Sequence, residues 1–170
     1  IFFFFFLTDT LTNTGNPFEN VSLTFDLFTY NTSGKSKILT RLSEGQYTDR
    51  YSPSDIGKAR LSYIGDATGV FNRYTATFDS SISYIDTITH YRYFIKSQPV
   101  TNYDRNILSQ SVINGSDTYG EVLLSNRKYL LRKGLQSNHI QIPDNEIVLT
   151  TFRKEKNEFL HKADSIEQLR

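Results

Sequence analysis

The sequence predicts a mainly β protein, built as an antiparallel sandwich or barrel of about ten short strands with one helix near residues 102–114. The first reason is composition. Ser and Thr account for 35 residues and Tyr and Phe for 24, while Ala, the strongest helix former, occurs only four times. The second reason is spacing, because runs rich in β-branched and aromatic residues recur between turn sequences about every ten residues.

The length of 170 residues fits one β-rich domain over 1–170, with residues 1–17 as an apolar N-terminal strand and a polar connector. The absence of Cys excludes disulfides, thiolate metal sites and cysteine nucleophiles. The net charge of +1 argues against a dedicated nucleic-acid-binding protein, which usually carries a clear basic excess. The chain has no Met, so we expect residue 1 to follow a processing site or a further segment. Its excess of Phe, Tyr, Ile, Asn and Lys suggests an AT-rich genome.

Residues 1–7, with the sequence IFFFFFL, are the most apolar stretch of the chain. They are too few to span a bilayer as a helix, which needs about 20 residues. The run has a strong β tendency and no charge, so it would aggregate if it were bare in water. Three interpretations stay open: a first strand within the chain's own core, a terminal strand that pairs with a neighbouring subunit, or the end of a membrane or signal segment. We expect an extended strand that is buried against another chain, with these partner-binding residues: Phe2, Phe3, Phe4, Phe5, Phe6 and Leu7.

The next part of the chain predicts strands separated by turns. Within residues 20–30 (NVSLTFDLFTY), apolar residues alternate with polar ones, which predicts a half-buried strand. Its core face would consist of Val21, Leu23, Phe25 and Leu27. NTSG at 31–34 predicts a turn from which residues 35–42 return as a second strand, and residues 44–57 are predicted to be a loop.

Two further strands are predicted at residues 58–64 and 70–78, joined by the turn sequence GDATG. Residues 82–96 are rich in Ile, Thr and Tyr, which predicts one long, bent strand. The helix near 102–114 is predicted from Thr101 or Asn102 as a capping residue and from Gly115 at its C-terminal end. Its inner face would consist of Tyr103, Ile107, Leu108, Ser111 and Val112.

The C-terminal part predicts more strands and one charged hairpin tip, RKEKN. These strands would lie at residues 119–124, 129–131, 139–142, 146–152 and 158–161. Residues 164–170 could begin a short helix.

Residues that could carry catalysis form no recognised pattern. His90, His139 and His161 are far apart and lack the short spacing that predicts a metal site. The sequence has neither a GxSxG motif nor a phosphate-binding glycine loop, so we expect no cofactor. Five carboxylates on or beside predicted strands could converge as in glycosidases, although most also lie at turns: Asp66, Asp79, Asp86, Asp117 and Glu121. Eleven tyrosines offer flat faces for stacking on sugars, but Trp is absent.

The most basic stretch is NRKYLLRKG at residues 126–134. Four cations flank its apolar centre and could contact phosphate groups or an acidic partner: Arg127, Lys128, Arg132 and Lys133. The same pattern is typical of a strand edge that charge protects from aggregation. Because the whole chain is nearly neutral, we expect no specific nucleic-acid site in this stretch.

These observations predict a non-enzymatic structural or assembly module, such as a component of a virion, a phage or a surface appendage. Its partners would be other protein subunits, in a homo- or hetero-oligomer, and the favoured location is a virion or extracellular surface. The apolar terminus would add a strand to a neighbour's sheet. One alternative is a secreted or periplasmic carbohydrate-active or sugar-binding domain that uses Asp and Tyr residues. A second is the extramembrane domain of a membrane-anchored assembly factor, with membrane contact only if residues before Ile1 form an anchor.

Overall fold

A computed structural model of the protein describes residues 2–8, 24–30, 39–43, 48–113, 118–135 and 142–167. In chain order, these residues form β1 (Phe2–Thr8), β2 (Thr24–Tyr30), β3 (Leu39–Arg41), β4 (Arg50–Gly57), β5 (Arg60–Gly65), β6 (Asn72–Ile85), β7 (Thr89–Pro99), β8 (Ile107–Val112), β9 (Thr118–Ser125), β10 (Lys128–Leu135), a short 3-10 helix (Asp144–Glu146) and α1 (Thr151–Glu167). The predicted mainly β fold is confirmed.

The strands form three antiparallel sheets in a sandwich-like arrangement. Sheet A has the strand order β1-β2-β3, sheet B has the order β4-β5-β6-β7, and sheet C has the order β10-β9-β8. Neighbouring strands in each sheet are consecutive in the chain, as expected for strands that short turns connect. Of the two predicted architectures, the sandwich is therefore the one found, and the described strands do not close into a barrel.

Sheet B is the middle layer, because β5 is buried on both faces. On one face, Leu61 and Tyr63 share a core cluster with Leu27 of sheet A. On the other face, Ile64 belongs to a second cluster with Ile107 of sheet C. An antiparallel sheet often leaves one face in water. In this protein sheets A and C cover opposite faces of sheet B, so there are two separate apolar cores.

The N-terminal run forms the strand that its composition predicts. The backbone of β1 pairs antiparallel with β2 over its whole length, from Phe2 opposite Tyr30 to Thr8 opposite Thr24. Both strands approach β4 of sheet B. One edge of β1 is thus paired within the chain, and β1 stands at the end of the strand order of sheet A. Binding of a neighbouring chain at the other edge stays a prediction.

The alternation predicted for residues 20–30 is wrong at two neighbouring positions, Phe25 and Asp26. Leu27 is buried as expected, but Phe25 is 37% exposed and Asp26 is buried. The reason is a set of polar partners that the sequence pattern does not reveal. The Asp26 carboxylate accepts a hydrogen bond from Ser43 Oγ at 2.7 Å and pairs with Arg41 at 2.7 Å. These bonds offset the cost of burying a charge.

Two further segments differ from their predictions. Most of the loop predicted at 44–57 is strand β4, which contains an irregularity at Ser52, a residue with a φ of 55°. The single long strand predicted at 82–96 is instead a hairpin of β6 and β7. Its turn is made by Asp86, whose carboxylate accepts a hydrogen bond from the Ile88 N–H at 2.9 Å. This side-chain turn is a common use of Asp.

The helix predicted near 102–114 is wrong, because residues 107–112 form β8. The polar residues before it bond to the start of β6 instead of capping a helix. The Tyr103 N–H donates to Asn72 Oδ1 at 2.8 Å, and Asn106 Oδ1 accepts from the Phe71 N–H at 2.9 Å. A register shift between Ile107 and Ser109 places Leu108, an expected inner-face residue, on the exposed side.

The helix of the described chain is α1, where strands and a hairpin tip were predicted, with the start of a short helix only from residue 164. Thr150 caps it, since its Oγ1 accepts a hydrogen bond from the Arg153 N–H at 3.2 Å. The residues after this cap are mostly good helix formers, such as Lys, Glu and Leu. The helix has no clear apolar stripe: Arg153 is buried, while Phe152 and Phe159 are exposed. This explains why periodicity did not predict it.

Some predictions concern residues outside the described ranges. These are the connector over residues 9–17, the core positions Val21 and Leu23, and most of the strand predicted at 139–142. They also include the carboxylate Asp117 and the imidazole of His139.

Candidate functional site

The β6–β7 hairpin extends beyond the rest of sheet B. β5 pairs with β6 only as far as Thr77, opposite Arg60, whereas β6 and β7 stay paired to Ile85 and Thr89. Residues 80–93, which we call the arm, are exposed except for the half-buried His90. A two-stranded ribbon has little stability of its own in water. The arm is therefore the first candidate for a functional surface of this protein.

The arm has one apolar face. Ile82 lies opposite Tyr91, and Tyr93 and Ile85 lie on the same side of the ribbon, across a register shift at Ser83. These four residues, which we call the apolar face of the arm, are 53–68% exposed. Nearer the body, the same side of the hairpin carries Ile95, which is buried in the core against sheet A. The apolar face thus continues the core-facing side of sheet B into solvent.

The opposite face of the hairpin, which we call the polar face, carries its charged side chains together with Tyr84, which is 56% exposed. At its base, Asp79 forms an ion pair with Lys96. Near the tip, His90 Nε2 lies 3.2 Å from the Asp86 carboxylate, and the His90 ring stacks on Tyr84 with 4.1 Å between the ring centroids. The hydrogen bond from Lys96 lowers the pKa of the Asp79 carboxyl, and the hydrogen bond from the Ile88 N–H lowers the pKa of the Asp86 carboxyl. The charged groups of the hairpin therefore lie away from the apolar face.

The structure does not bring the predicted carboxylates together. Asp66 accepts a hydrogen bond from the Asp49 N–H at 2.7 Å in the turn after β5. Asp79 and Asp86 belong to the hairpin contacts described above, and Glu121 lies in sheet C. No two of these four share a partner among the described contacts. These four carboxylates are thus held by separate sets of partners.

Glu121 instead forms a buried ion pair with Arg73. Its Oε2 lies 2.7 Å from Arg73 Nη2, and the two residues are 2% and 1% exposed. The hydroxyl of Tyr103 donates to Glu121 Oε1 at 2.9 Å, and the Arg73 guanidinium stacks on Tyr119. Burial, followed by the nearby Glu121 carboxylate, raises the pKa of Tyr103. This cluster joins sheets B and C.

Arg73 was not among the residues that the sequence singled out. It lies 48 positions from Glu121 in a segment with ordinary strand alternation, so no local spacing connects the two. The one signal in the sequence is that Arg73, a charged residue, lies within a strand whose positions are predicted to be buried.

Two cavities open among the described residues, on different sides of sheet B. One, of about 270 Å³, is lined by residues that include Tyr103, Leu130 and Arg132. The other, of about 250 Å³, is bordered by the stacked rings of Tyr63 and Tyr74. Both are smaller than typical small-molecule sites, which have volumes of about 300–1,000 Å³. Tyr63 and Tyr74 are buried against each other, so their faces are not free to stack on a sugar.

The predicted basic residues do not form one patch. Arg132 lies opposite Glu121 on the inward side of sheet C, with its guanidinium 5.1 Å above the Tyr103 ring. Lys133 lies opposite Gly120 on the outward side, and Arg127 belongs to the tight turn between β9 and β10. Lys128 lies beside that turn, opposite Ser125. The four cations are therefore distributed over two faces and a turn.

The outward side of sheet C carries a second exposed apolar group. Tyr129, Leu131 and Leu135 of β10 are exposed on this side, together with Leu124 of β9. Lys133 lies between Leu131 and Leu135 on the same side. Unlike the apolar face of the arm, this surface includes a charge.

Other site types find little support in the described ranges. There, no group of three His, Asp or Glu side chains is placed to hold a metal ion. No helix that the structure describes has the length and apolar character needed to cross a membrane. His90 bonds to Asp86, and His161 lies exposed on α1.

Comparison of the chain with protein-family models, with curated proteins and with solved structures finds no match. The mainly β, sandwich-like class is therefore defined by the fold alone, and the functional argument depends on the surfaces described above.

Proposed function

We propose that this chain is a non-enzymatic structural module that assembles with other protein chains, as a component of a virion, a phage or a surface appendage. The observation that supports this proposal is the arm, whose apolar face leaves Ile82, Ile85, Tyr91 and Tyr93 in solvent. Exposed apolar patches of several hundred Å² on soluble proteins commonly mark interaction sites. Assembly would cover this face and the outward side of sheet C.

The N-terminal strand supplies a second element of the proposal. β1 stands at the end of sheet A, where an edge strand can accept a strand from another chain. Backbone hydrogen bonds would give affinity, and the phenylalanines of residues 2–6 would give apolar contact. An edge strand that stays unpaired is otherwise an aggregation hazard.

The proposal is tested by the molar mass of the full chain in solution, measured by light scattering from low to high micromolar concentration. We expect a mass above the 19.6 kDa of one chain, increasing with concentration. A soluble chain that stays at the monomer mass throughout would overturn assembly as the function.

A further inference from the structure

We infer that the apolar face of the arm binds the same face of a second copy of this chain, in a two-fold pair with the two arms antiparallel. This inference rests on the proposed function and specifies the partner and the contact. Three features of the molecule support it: the distribution of charge on the hairpin, the area of the apolar face, and the position of sheet A.

The charge distribution favours a second copy. In a two-fold interface each surface meets its own copy, so a charged residue near the axis would approach its like. The apolar face of the arm contains only Ile and Tyr, with Ser80 and Thr89 beside them on the same side. The charges of the hairpin, from Asp79, Asp86, Arg92 and Lys96, lie on the other face or in the turn. The apolar face can thus pack against itself without burying a charge.

The area of this face is sufficient for a specific contact. Its four large side chains are each more than half exposed, which corresponds to about 500 Å² of surface per copy. A pair would therefore bury about 1,000 Å², near the lower limit for specific interfaces. We expect a reversible dimer rather than an obligate one from this contact alone.

The position of sheet A determines the direction of the second arm. The side of sheet B that becomes the apolar face of the arm is the side that sheet A covers in the body, where Ile95 packs in a cluster with Leu27 and Leu42. A second copy with its arm in the parallel direction would place its body in the space that sheet A occupies. The antiparallel direction avoids this collision, since the second arm then continues the layer of sheet A outwards.

The antiparallel pair has a specific centre. The residue pairs on this side of the arm run from Ser80 and Tyr93 at the base to Ile85 and Thr89 at the tip. Ile82 and Tyr91 lie midway, so the two-fold axis passes close to them. Ile82 of one copy would therefore face Ile82 of the other across the distance of about 10 Å that separates packed sheets.

The absence of Cys allows a direct test by cross-linking. Single Ile82→Cys and Ser81→Cys variants of the full chain are treated with a short bismaleimide and their masses are measured. We expect cross-linked dimer from Ile82→Cys, and little from Ser81→Cys, because Ser81 pairs with Arg92 on the polar face. Equal cross-linking of the two variants, or none at Ile82→Cys, would overturn the inference.

A second test uses the dissociation constant of the dimer, measured by sedimentation. The double variant Ile82→Ser/Tyr91→Ser should increase this constant by at least about 100-fold, since each copy loses two apolar contacts. The matched control is Phe159→Ser, which removes a side chain that is 70% exposed on α1, outside both proposed surfaces, and it should leave the dimer unchanged. If the full chain is oligomeric but the arm variant assembles equally well, the arm inference fails and the proposed function stands. If the full chain is monomeric, both fail.

Discussion

At the residue scale, the turn between β4 and β5 contains two residues in the left-handed region. Lys58 and Ala59 have φ angles of 56° and 55°, a conformation in which a side chain costs about 1 kcal/mol relative to glycine. We expect Ala59→Gly to increase the free energy of unfolding by about 1 kcal/mol, measured by chemical denaturation. The matched control is Ala76→Gly, which removes a methyl group from the core and should destabilise the protein. If both variants changed the free energy of unfolding in the same direction, this prediction would be contradicted.

The buried pair of Arg73 and Glu121 makes a second prediction. Glu121→Gln keeps the shape of the side chain but leaves the Arg73 guanidinium buried without its counter-charge. We expect a loss of about 3–5 kcal/mol in the free energy of unfolding. The double variant Arg73→Met/Glu121→Leu should lose less free energy of unfolding than the single variants Arg73→Met and Glu121→Leu lose in sum. Additive losses from the three denaturation curves would show that the two side chains are not coupled.

The carboxyl of Asp66 predicts a pH dependence. Burial raises its pKa above the usual value, although the Asp49 N–H and the charge of Arg153 act in the opposite direction. The folded protein therefore keeps this proton to higher pH than the unfolded chain does. The contribution of Asp66 to stability is fully present at acidic pH, and it declines as the pH increases through the raised pKa.

Asp66→Asn should remove this decline. We expect the free energy of unfolding of the wild type, relative to that of the variant, to be more favourable near pH 4 than near pH 7. Thermal or chemical denaturation at both pH values measures this difference. If wild type and variant differed in free energy of unfolding by the same amount at pH 4 and at pH 7, the Asp66 carboxyl would have its ordinary pKa in the folded protein.

Burial of single residues is predictable where it depends on local pattern alone. Leu27 is buried as alternation predicts, but Asp26 is buried too, because Arg41 and Ser43 reach it from another part of sheet A. The same limit applies to the arm. Its Ile and Tyr residues predict strand, but no pattern predicts that the ribbon would extend past β5 and leave one face bare.

At the element scale, hairpins were predicted well where a turn sequence separates two alternating runs. The GDATG turn joins β5 to β6, and β9 and β10 lie where strands were predicted. The two errors between helix and strand concern β8 and α1. Residues 107–112 have helical spacing but pair with β9, because tertiary contacts override a weak local preference. α1 contains Arg153 on its buried side, so its helical period is hidden.

The contact between Gly134 and Tyr119 makes a prediction for the β9–β10 pair. These residues lie opposite each other, and a methyl group at position 134 would collide with the Tyr119 ring. Gly134→Ala should therefore lower the free energy of unfolding by about 1–3 kcal/mol. Gly120→Ala is the matched control on the neighbouring strand, where the nearest atom would be at 3.9 Å and the change should be small. Equal losses in denaturation would contradict the packing of Tyr119 against Gly134.

At the scale of the whole molecule, deletion of residues 1–7 tests the role of β1. Without β1, strand β2 is still paired with β3, and Leu27 still packs against sheet B. We expect the truncated chain to stay folded by circular dichroism and to lose any assembly beyond the dimer, measured by light scattering. A sharply lower melting temperature would show instead that the strand mainly serves the chain's own fold.

The burial of β5 on both faces has a kinetic consequence. Neither outer sheet can complete its core before the middle sheet exists, so β5 and its neighbours should be the last part to open in the native protein. In amide hydrogen exchange, we expect the β5 amides to exchange only through global unfolding. The amides of the arm should exchange orders of magnitude faster in the monomer, because the ribbon can fray without disturbing either core. Exchange in the arm should slow with increasing protein concentration, whereas exchange in β5 should depend on the stability of the whole molecule.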